Sequence, residues 1–114
     1  MTDALPSLAD LRATFIDALH FEGDQGLWEV VWSLNASHAS APVASKVTLA
    51  RELIFDSLSE GVVTLSASEW PRTARDGRPL TATEMERLRV EDAPWFEPSS
   101  TPGLVVWVSE RKSA

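Results

Sequence analysis

The chain has 114 residues, the length of a single domain. Hydrophobic residues make up 44% of it and charged residues 24%, ordinary values for a globular domain that exclude a low-complexity chain. Cysteine is absent, which excludes disulfides, thiolate metal sites and a cysteine nucleophile. No apolar run approaches the ~18 residues of a membrane span, and the first residues do not resemble a secretory signal. We therefore expect a cytoplasmic protein with no membrane partner.

The net charge of −7 is concentrated in the N-terminal half of the chain. Residues 1–60 carry nine acidic and three basic side chains, whereas residues 61–114 carry eight acidic and seven basic side chains. A negative field opposes the approach of phosphate backbones and anionic lipids. The overall charge therefore favours a protein partner, although a local basic patch could override it.

Apolar residues at helical spacing predict two helices in the first third of the chain. The first, over residues 8–20, has its apolar positions on one face: Leu8, Leu11, Phe15 and Leu19. Ser7 precedes this helix and Asp10 follows three residues later, an arrangement similar to a capping box. The second helix is predicted over residues 27–34, where a Val-Val-Trp segment also suits a strand. Residues 35–41 are small and polar, which indicates a turn.

The third predicted helix, over residues 42–60, is the most regular pattern in the sequence. Its apolar positions recur at helical spacing: Val43, Val47, Ala50, Ile54 and Leu58. Pro42 suits the first position of a helix, and Gly61 suits its end. Residues 62–65 and 104–108 are apolar runs that predict strands. We expect these two strands to pair antiparallel, because a lone strand leaves its backbone groups without partners.

Residues 66–103 separate the two predicted strands and are rich in turn residues. Thr81 or Thr83 can cap a short fourth helix, because each is followed three residues later by a glutamate. Three aromatic side chains stand near prolines in this segment: Trp70, Trp95 and Phe96. They either pack the segment onto the domain or anchor a partner protein, since Trp is enriched at interface hot spots.

The order of three helices followed by two strands resembles the winged helix-turn-helix superfamily. Residues 53–65, in which a helix ends at a glycine and a strand follows at once, carry the resemblance together with residues 104–111. It implies one α+β domain over residues 1–114, with a winged-helix-like three-helix core, a two-stranded antiparallel wing and a short helix in the wing insertion at residues 66–103. Wing strands are usually joined by a handful of residues. The long insertion therefore leaves a different α+β fold as the alternative.

The resemblance also implies a DNA-reading face on the outer side of the first turns of the third helix: Ser45, Lys46, Thr48 and Arg51. Such side chains donate to base edges and phosphates. Three arginines at intervals of three would suit a wing tip in a minor groove: Arg72, Arg75 and Arg78. An ordinary solvated surface is the alternative for both groups, because Glu52, Asp56 and Asp76 lie beside them and would repel DNA.

The sequence offers little support for catalysis. His20 and His38 are its only histidines, and there is no paired-histidine motif, glycine-rich phosphate loop or nucleophile elbow. His20, Glu22 and Asp24 could form a metal site, but such a combination arises easily by chance. We therefore predict no catalytic residue, no metal and no cofactor. The favoured interpretation is an acidic protein-binding module, with a sequence-specific DNA-binding regulator as the alternative and a small hydrolase or metal enzyme third.

Overall fold

The structure is a computed structural model that describes residues 5–69, 77–96 and 104–111. These residues form an α+β domain with four helices: α1 (Leu8–Glu22), α2 (Glu29–Ser37), α3 (Val43–Ser59) and α4 (Ala82–Val90). Its four strands are β1 (Gln25–Gly26), β2 (Val63–Glu69), β3 (Arg78–Pro79) and β4 (Leu104–Glu110). A single 3-10 turn, Ala93–Trp95, follows α4. None of the helices described is long and apolar enough to cross a membrane.

The strands form one antiparallel sheet in the order β1-β4-β2-β3. β2 and β4 pair along their whole length, with Leu65 opposite Val108, which confirms the predicted antiparallel pairing. On the other side of β4, Gln25 of β1 also lies opposite Val108. On the outer side of β2, Ala67 lies opposite Arg78 of β3. The prediction of a two-stranded sheet is therefore corrected to four strands, two of which contain only two residues each.

The predicted helices are present with shifted ends, and the largest shift is at the end of α2, which extends to Ser37 and so replaces the start of the turn predicted at residues 35–41. This helix begins at Glu29 rather than at Leu27, because the Leu27 N–H donates to the Val106 carbonyl at 3.0 Å and so continues the strand pairing of β1. The alternative interpretation of this segment as a strand fails, since residues 29–37 are helical. α1 ends two residues beyond its predicted end.

Gly26 allows the chain to turn sharply between β1 and α2. A Cβ atom at this position would overlap the indole ring of Trp28, which folds back over the backbone of the strand. The Gly26 N–H donates to the Glu29 carboxylate at 2.5 Å and thus ties the strand to the first turn of α2. Only glycine leaves room for this arrangement.

The core lies among α1, α2, α3 and the β2–β4 pair, and α4 with the 3-10 turn closes it. Fully buried side chains include Leu27, Val31, Leu53, Ile54, Trp95, Val105 and Val108. Two predicted helix starts are confirmed. The Ser7 hydroxyl accepts from the Asp10 N–H at 3.1 Å, and Thr81 and Glu84 form a reciprocal capping box at the start of α4.

Candidate functional site

The predicted DNA-reading face of α3 is only partly exposed. Ser45 and Thr48 lie on the surface, and the Thr48 hydroxyl donates to the Ala44 carbonyl at 3.0 Å. Lys46 is 2% exposed, and its Nζ donates to Asn35 Oδ1 of α2 at 2.9 Å. The prediction that Lys46 faces solvent is wrong, because it lies one helical turn before the fully buried Ala50 and shares its face.

Arg51 joins α3 to the C-terminal end of α4. Its Nε donates to the Leu88 carbonyl at 3.1 Å, and its Nη2 donates to the Glu91 carbonyl at 3.0 Å and to Asp92 Oδ1 at 2.9 Å. These carbonyls lie where a helix leaves its backbone acceptors without internal partners. The guanidinium also lies 5.6 Å from the ring centre of Trp95. Arg51 therefore holds two elements of the protein together in this structure.

Arg78, the member of the predicted arginine cluster that lies among the described residues, pairs with Glu84. Its two terminal nitrogens donate to the two Glu84 oxygens at 2.8 and 2.9 Å. These hydrogen bonds, with one from the Thr81 N–H, lower the pKa of Glu84 to about 2, and the same contact raises the pKa of Arg78. The other two candidates, Arg72 and Arg75, lie outside the described residues.

Trp95 packs in the interior, where a partner could not reach it. Its side chain is fully buried, its Nε1–H donates to the Leu88 carbonyl at 2.9 Å, and its ring centre lies 6.2 Å from that of Phe55. Phe96 is partly buried against the same core. These contacts agree with the interpretation that the aromatic residues pack the insertion onto the domain. Trp70 lies outside the described residues.

Most of the described lysine and arginine side chains already have partners within the protein. Apart from the exposed Arg111, each is buried or lies within 4.0 Å of a carboxylate: Arg12, Lys46, Arg51, Arg78, Arg87 and Arg89. A cation that is paired with a protein carboxylate must break that contact before it can neutralise a phosphate. The described surface therefore offers little free positive charge.

A depression lies on each side of helix α1. On the side of α3 lies an apolar depression of about 680 Å³, which we call the α1–α3 groove. Its apolar lining consists of Leu8, Ala9, Ala13, Ile16 and Val62, and its charged lining consists of Arg12, Asp17 and Asp56. Arg12 forms ion pairs with both Asp56 and Glu60, which holds one wall of the groove in place.

On the opposite flank of α1 lies a smaller depression of about 290 Å³, which we call the α1–α2 cleft. Phe15, Ala18 and Val30 contribute apolar lining, and Glu22 and Glu29 contribute carboxylates. Trp32 also lines the cleft and is 49% exposed. No pattern in the sequence indicated this cleft, because its lining residues come from two helices whose packing is decided in three dimensions.

Trp28, Trp32 and Trp107 form an aromatic cluster beside the α1–α2 cleft. The Trp28 ring centre lies 5.5 Å from that of Trp107 and 6.3 Å from that of Trp32, both in edge-to-face geometry. Trp28 is buried, and Trp107 is partly buried and donates from Nε1 to the Ser68 hydroxyl at 2.9 Å. Only Trp32 of the three presents half of its surface to solvent.

The structure does not bring together His20, Glu22 and Asp24, the residues considered as a metal site from the sequence. Within the described ranges, no three His, Asp or Glu side chains are placed to hold a metal ion. His20 Nδ1 instead lies 3.5 Å from the Glu110 carboxylate of β4.

In comparisons with known proteins, no protein-family model, curated protein or solved structure matches this chain.

Proposed function

We propose that the chain is a small, acidic, non-catalytic binding module whose partner is another protein. The observation that carries the proposal is that the α1–α3 groove is open and apolar, whereas almost all described cations are engaged within the protein. Burial of apolar side chains from a partner in such a groove is favourable by about 25 cal/mol per Å². An overall charge of −7 adds attraction for a basic partner.

The size of the groove supports a segment of protein as its occupant. At about 680 Å³, it is in the upper part of the range of roughly 300 to 1,000 Å³ for small-molecule pockets, so it has room for several side chains of a partner segment. Ala9 and Ala13 are small and exposed, so a partner can approach the helix backbone closely there. Asp17 adds a carboxylate to the lining, where a basic side chain of the partner could pair with it.

We further propose that the architecture is winged-helix-like. Support comes from the order of α1, α2, α3, β2 and β4, and from the pairing of β2 with β4. The sheet has two additional strands, and residues 70–103 connect the paired strands with α4 among them. This resemblance in architecture does not by itself assign a ligand, since one fold hosts many functions.

DNA binding is the second candidate, and it is favoured by the exposed hydroxyls of Ser45 and Thr48 on α3. In the described residues, however, Lys46 is buried and Arg51 and Arg78 are paired within the protein. Of the cations predicted to contact DNA, Arg72 and Arg75 would therefore have to supply most of the binding.

An experiment with two arms separates these candidates. In the first arm, the immobilised full chain captures partners from native cell extract with and without nuclease, and mass spectrometry identifies them. The groove variant Ala9→Gln/Ala13→Gln is compared with a matched control, Ala36→Gln/Ala82→Gln, at exposed helix positions that do not line the groove. In the second arm, fluorescence anisotropy measures binding to duplex DNA over a range of salt concentrations.

We expect a specific protein to be captured in the presence of nuclease, to be retained by the control variant and to be lost from the groove variant. Duplex affinity should be weak and typical of non-specific binding, with a Kd above about 1 μM at physiological salt. Micromolar or tighter duplex binding that Arg72→Ala/Arg75→Ala abolishes would overturn the proposal. Capture that is equal for all variants would exclude the groove as the binding site.

A further inference from the structure

The α1–α2 cleft is lined by two carboxylates and by the exposed aromatic ring of Trp32. Glu22 is the last residue of α1 and Glu29 is the first residue of α2, so the two carboxylates reach the cleft from different helices. None of the described residues that line it is a lysine, arginine or histidine. One Glu29 oxygen accepts from the Gly26 N–H, which orients this carboxylate.

The charge of Glu22 is unfavourable for α1 itself. The C-terminal end of a helix carries a partial negative charge, so a carboxylate there is unfavourable. Among the described residues, no ion pair joins Glu22 to a basic side chain. A cation placed in the cleft would therefore pair with a carboxylate that has no basic partner among the described residues.

The Trp32 ring is held in a fixed position at this cleft. Its Nε1–H donates to the Phe96 carbonyl at 2.9 Å, and its ring packs edge to face against Trp28 at 6.3 Å. A ring fixed in this way loses little conformational entropy when a ligand stacks on it. Trp is also the aromatic side chain that attracts a cation most strongly.

We propose that the α1–α2 cleft binds an arginine side chain presented by the protein partner. Its guanidinium would stack on Trp32 and donate hydrogen bonds to the carboxylates of Glu22 and Glu29. This inference rests on the proposed protein-binding function and specifies the chemistry of one contact.

The dimensions of the cleft favour one long side chain over a larger segment. Its volume of about 290 Å³ is at the lower limit of roughly 300 Å³ for small-molecule pockets, and less than half that of the α1–α3 groove. Arginine fits the lining better than lysine does, because its planar guanidinium can stack on a ring and donate to carboxylates at the same time.

The test uses three peptides and the isotopically labelled full chain. The probes are acetyl-Ala-Ala-X-Ala-Ala-amide, in which X is arginine, lysine or citrulline, the uncharged isostere of arginine. NMR titration at low ionic strength follows the backbone amides of Ala18, Gln25 and Ser33 and the indole N–H of Trp32. The variants are Glu22→Gln and Trp32→Leu, and the control is Glu52→Gln, an exposed acid on α3 that does not line the cleft.

We expect the arginine peptide to bind with a Kd in about the millimolar range and to shift the signals that surround the cleft. Binding of the citrulline peptide should be at least about tenfold weaker, since the charge is lost. Trp32→Leu should weaken arginine binding by roughly 2- to 30-fold, the range of cation–π contributions. Glu22→Gln should weaken it as well and should keep the native amide spectrum, whereas Glu52→Gln should have no effect.

Three outcomes would overturn the inference: equal binding of the arginine and citrulline peptides, tighter binding of the lysine peptide, or equal losses from Glu22→Gln and Glu52→Gln. Absence of detectable arginine binding overturns it too. If the captured protein partner is still lost from the Ala9→Gln/Ala13→Gln variant in that case, protein binding stands and only the arginine contact is wrong. If neither the peptide nor a partner protein binds, the proposed function itself fails.

Discussion

The junction between α3 and α4 differs from the outer flanks of α1 in how far its side chains are engaged within the protein. At the junction, Arg51 and Trp95 are charged or aromatic side chains that donate hydrogen bonds within the protein. Along α1, by contrast, Ala13 and Ala18 are small residues that leave open depressions on both sides of the helix. At the junction the arginine and tryptophan side chains stabilise the fold, whereas beside α1 small side chains leave depressions open to solvent.

This difference matters for assigning function from residue type. A tryptophan or an arginine is as useful inside a protein as at an interface, because both combine a large apolar area with hydrogen-bond donors. Substitutions at the junction should therefore change stability, and substitutions on the flanks of α1 should change binding.

The largest expected effect is that of Trp95→Ala. The substitution removes a fully buried ring, its hydrogen bond to the Leu88 carbonyl and its contacts with Phe55 and Arg51. The free energy of unfolding should fall by about 3 to 5 kcal/mol, as for large-to-small changes in cores. Urea denaturation followed by circular dichroism measures it. A loss below about 1 kcal/mol would show that Trp95 is not packed inside.

Ile54→Ala should cost about 2 to 5 kcal/mol, because this side chain is fully buried at the centre of α3. Ser45→Ala, on the exposed side of the same helix, should change the free energy of unfolding by less than roughly 0.5 kcal/mol. The same denaturation experiment compares them. Equal losses would mean that the buried face of α3 is assigned incorrectly.

Arg51→Met should cost about 1 to 3 kcal/mol, because it removes the side-chain donor to the Glu91 carbonyl and one of the two donors to the Leu88 carbonyl while it keeps most of the apolar stem. Arg111→Met, an arginine exposed to solvent, is the control and should be nearly neutral. Thermal unfolding measures both variants. If Arg51→Met left stability unchanged but reduced affinity for duplex DNA, the assignment of Arg51 to the junction would be contradicted.

The smallest effect concerns Glu84, whose pKa is lowered from 4.5 to about 2 by hydrogen bonds from Arg78 and Thr81. Because the folded state holds the proton less tightly than the unfolded state does, the ionised carboxylate stabilises the fold above pH 4.5. This stabilisation should decrease as the pH falls towards 2. Arg78 is largely exposed, so we expect at most about 1 kcal/mol at neutral pH.

The measurement for Glu84 is the free energy of unfolding of the wild type and of Glu84→Gln as a function of pH. The difference between the two should be constant well above pH 4.5, should decrease between pH 4.5 and the lowered pKa of about 2, and should vanish only below it. Glu86→Gln, an exposed glutamate in the same helix, is the control and should show a smaller difference over this range. A difference that is independent of pH would contradict the predicted pKa of Glu84.

Local sequence patterns were sufficient to predict most of the secondary structure. The spacing of apolar residues located α1 and α3 to within two residues at each end, and Thr81 with Glu84 indicated the start of α4. The pairing of β2 with β4 was also predictable, because two strongly apolar segments leave few other partners for their backbone groups. All these features depend on residues that are close in the sequence, or on the requirement that the backbone groups of a strand find hydrogen-bond partners.

The remaining features depend on how distant segments pack, which the sequence does not express locally. β1 exists only because Gln25 and Gly26 meet β4. Lys46 and Arg51 appear polar and exposed in the sequence, yet one is buried against α2 and the other binds the end of α4. The two depressions beside α1 likewise arise from the distances between helices. Composition, periodicity and capping thus determined the elements and the acidic character of this protein. Only the tertiary structure decided which side chains bond within the protein and which stay open to a partner, because burial is a property of the packed chain.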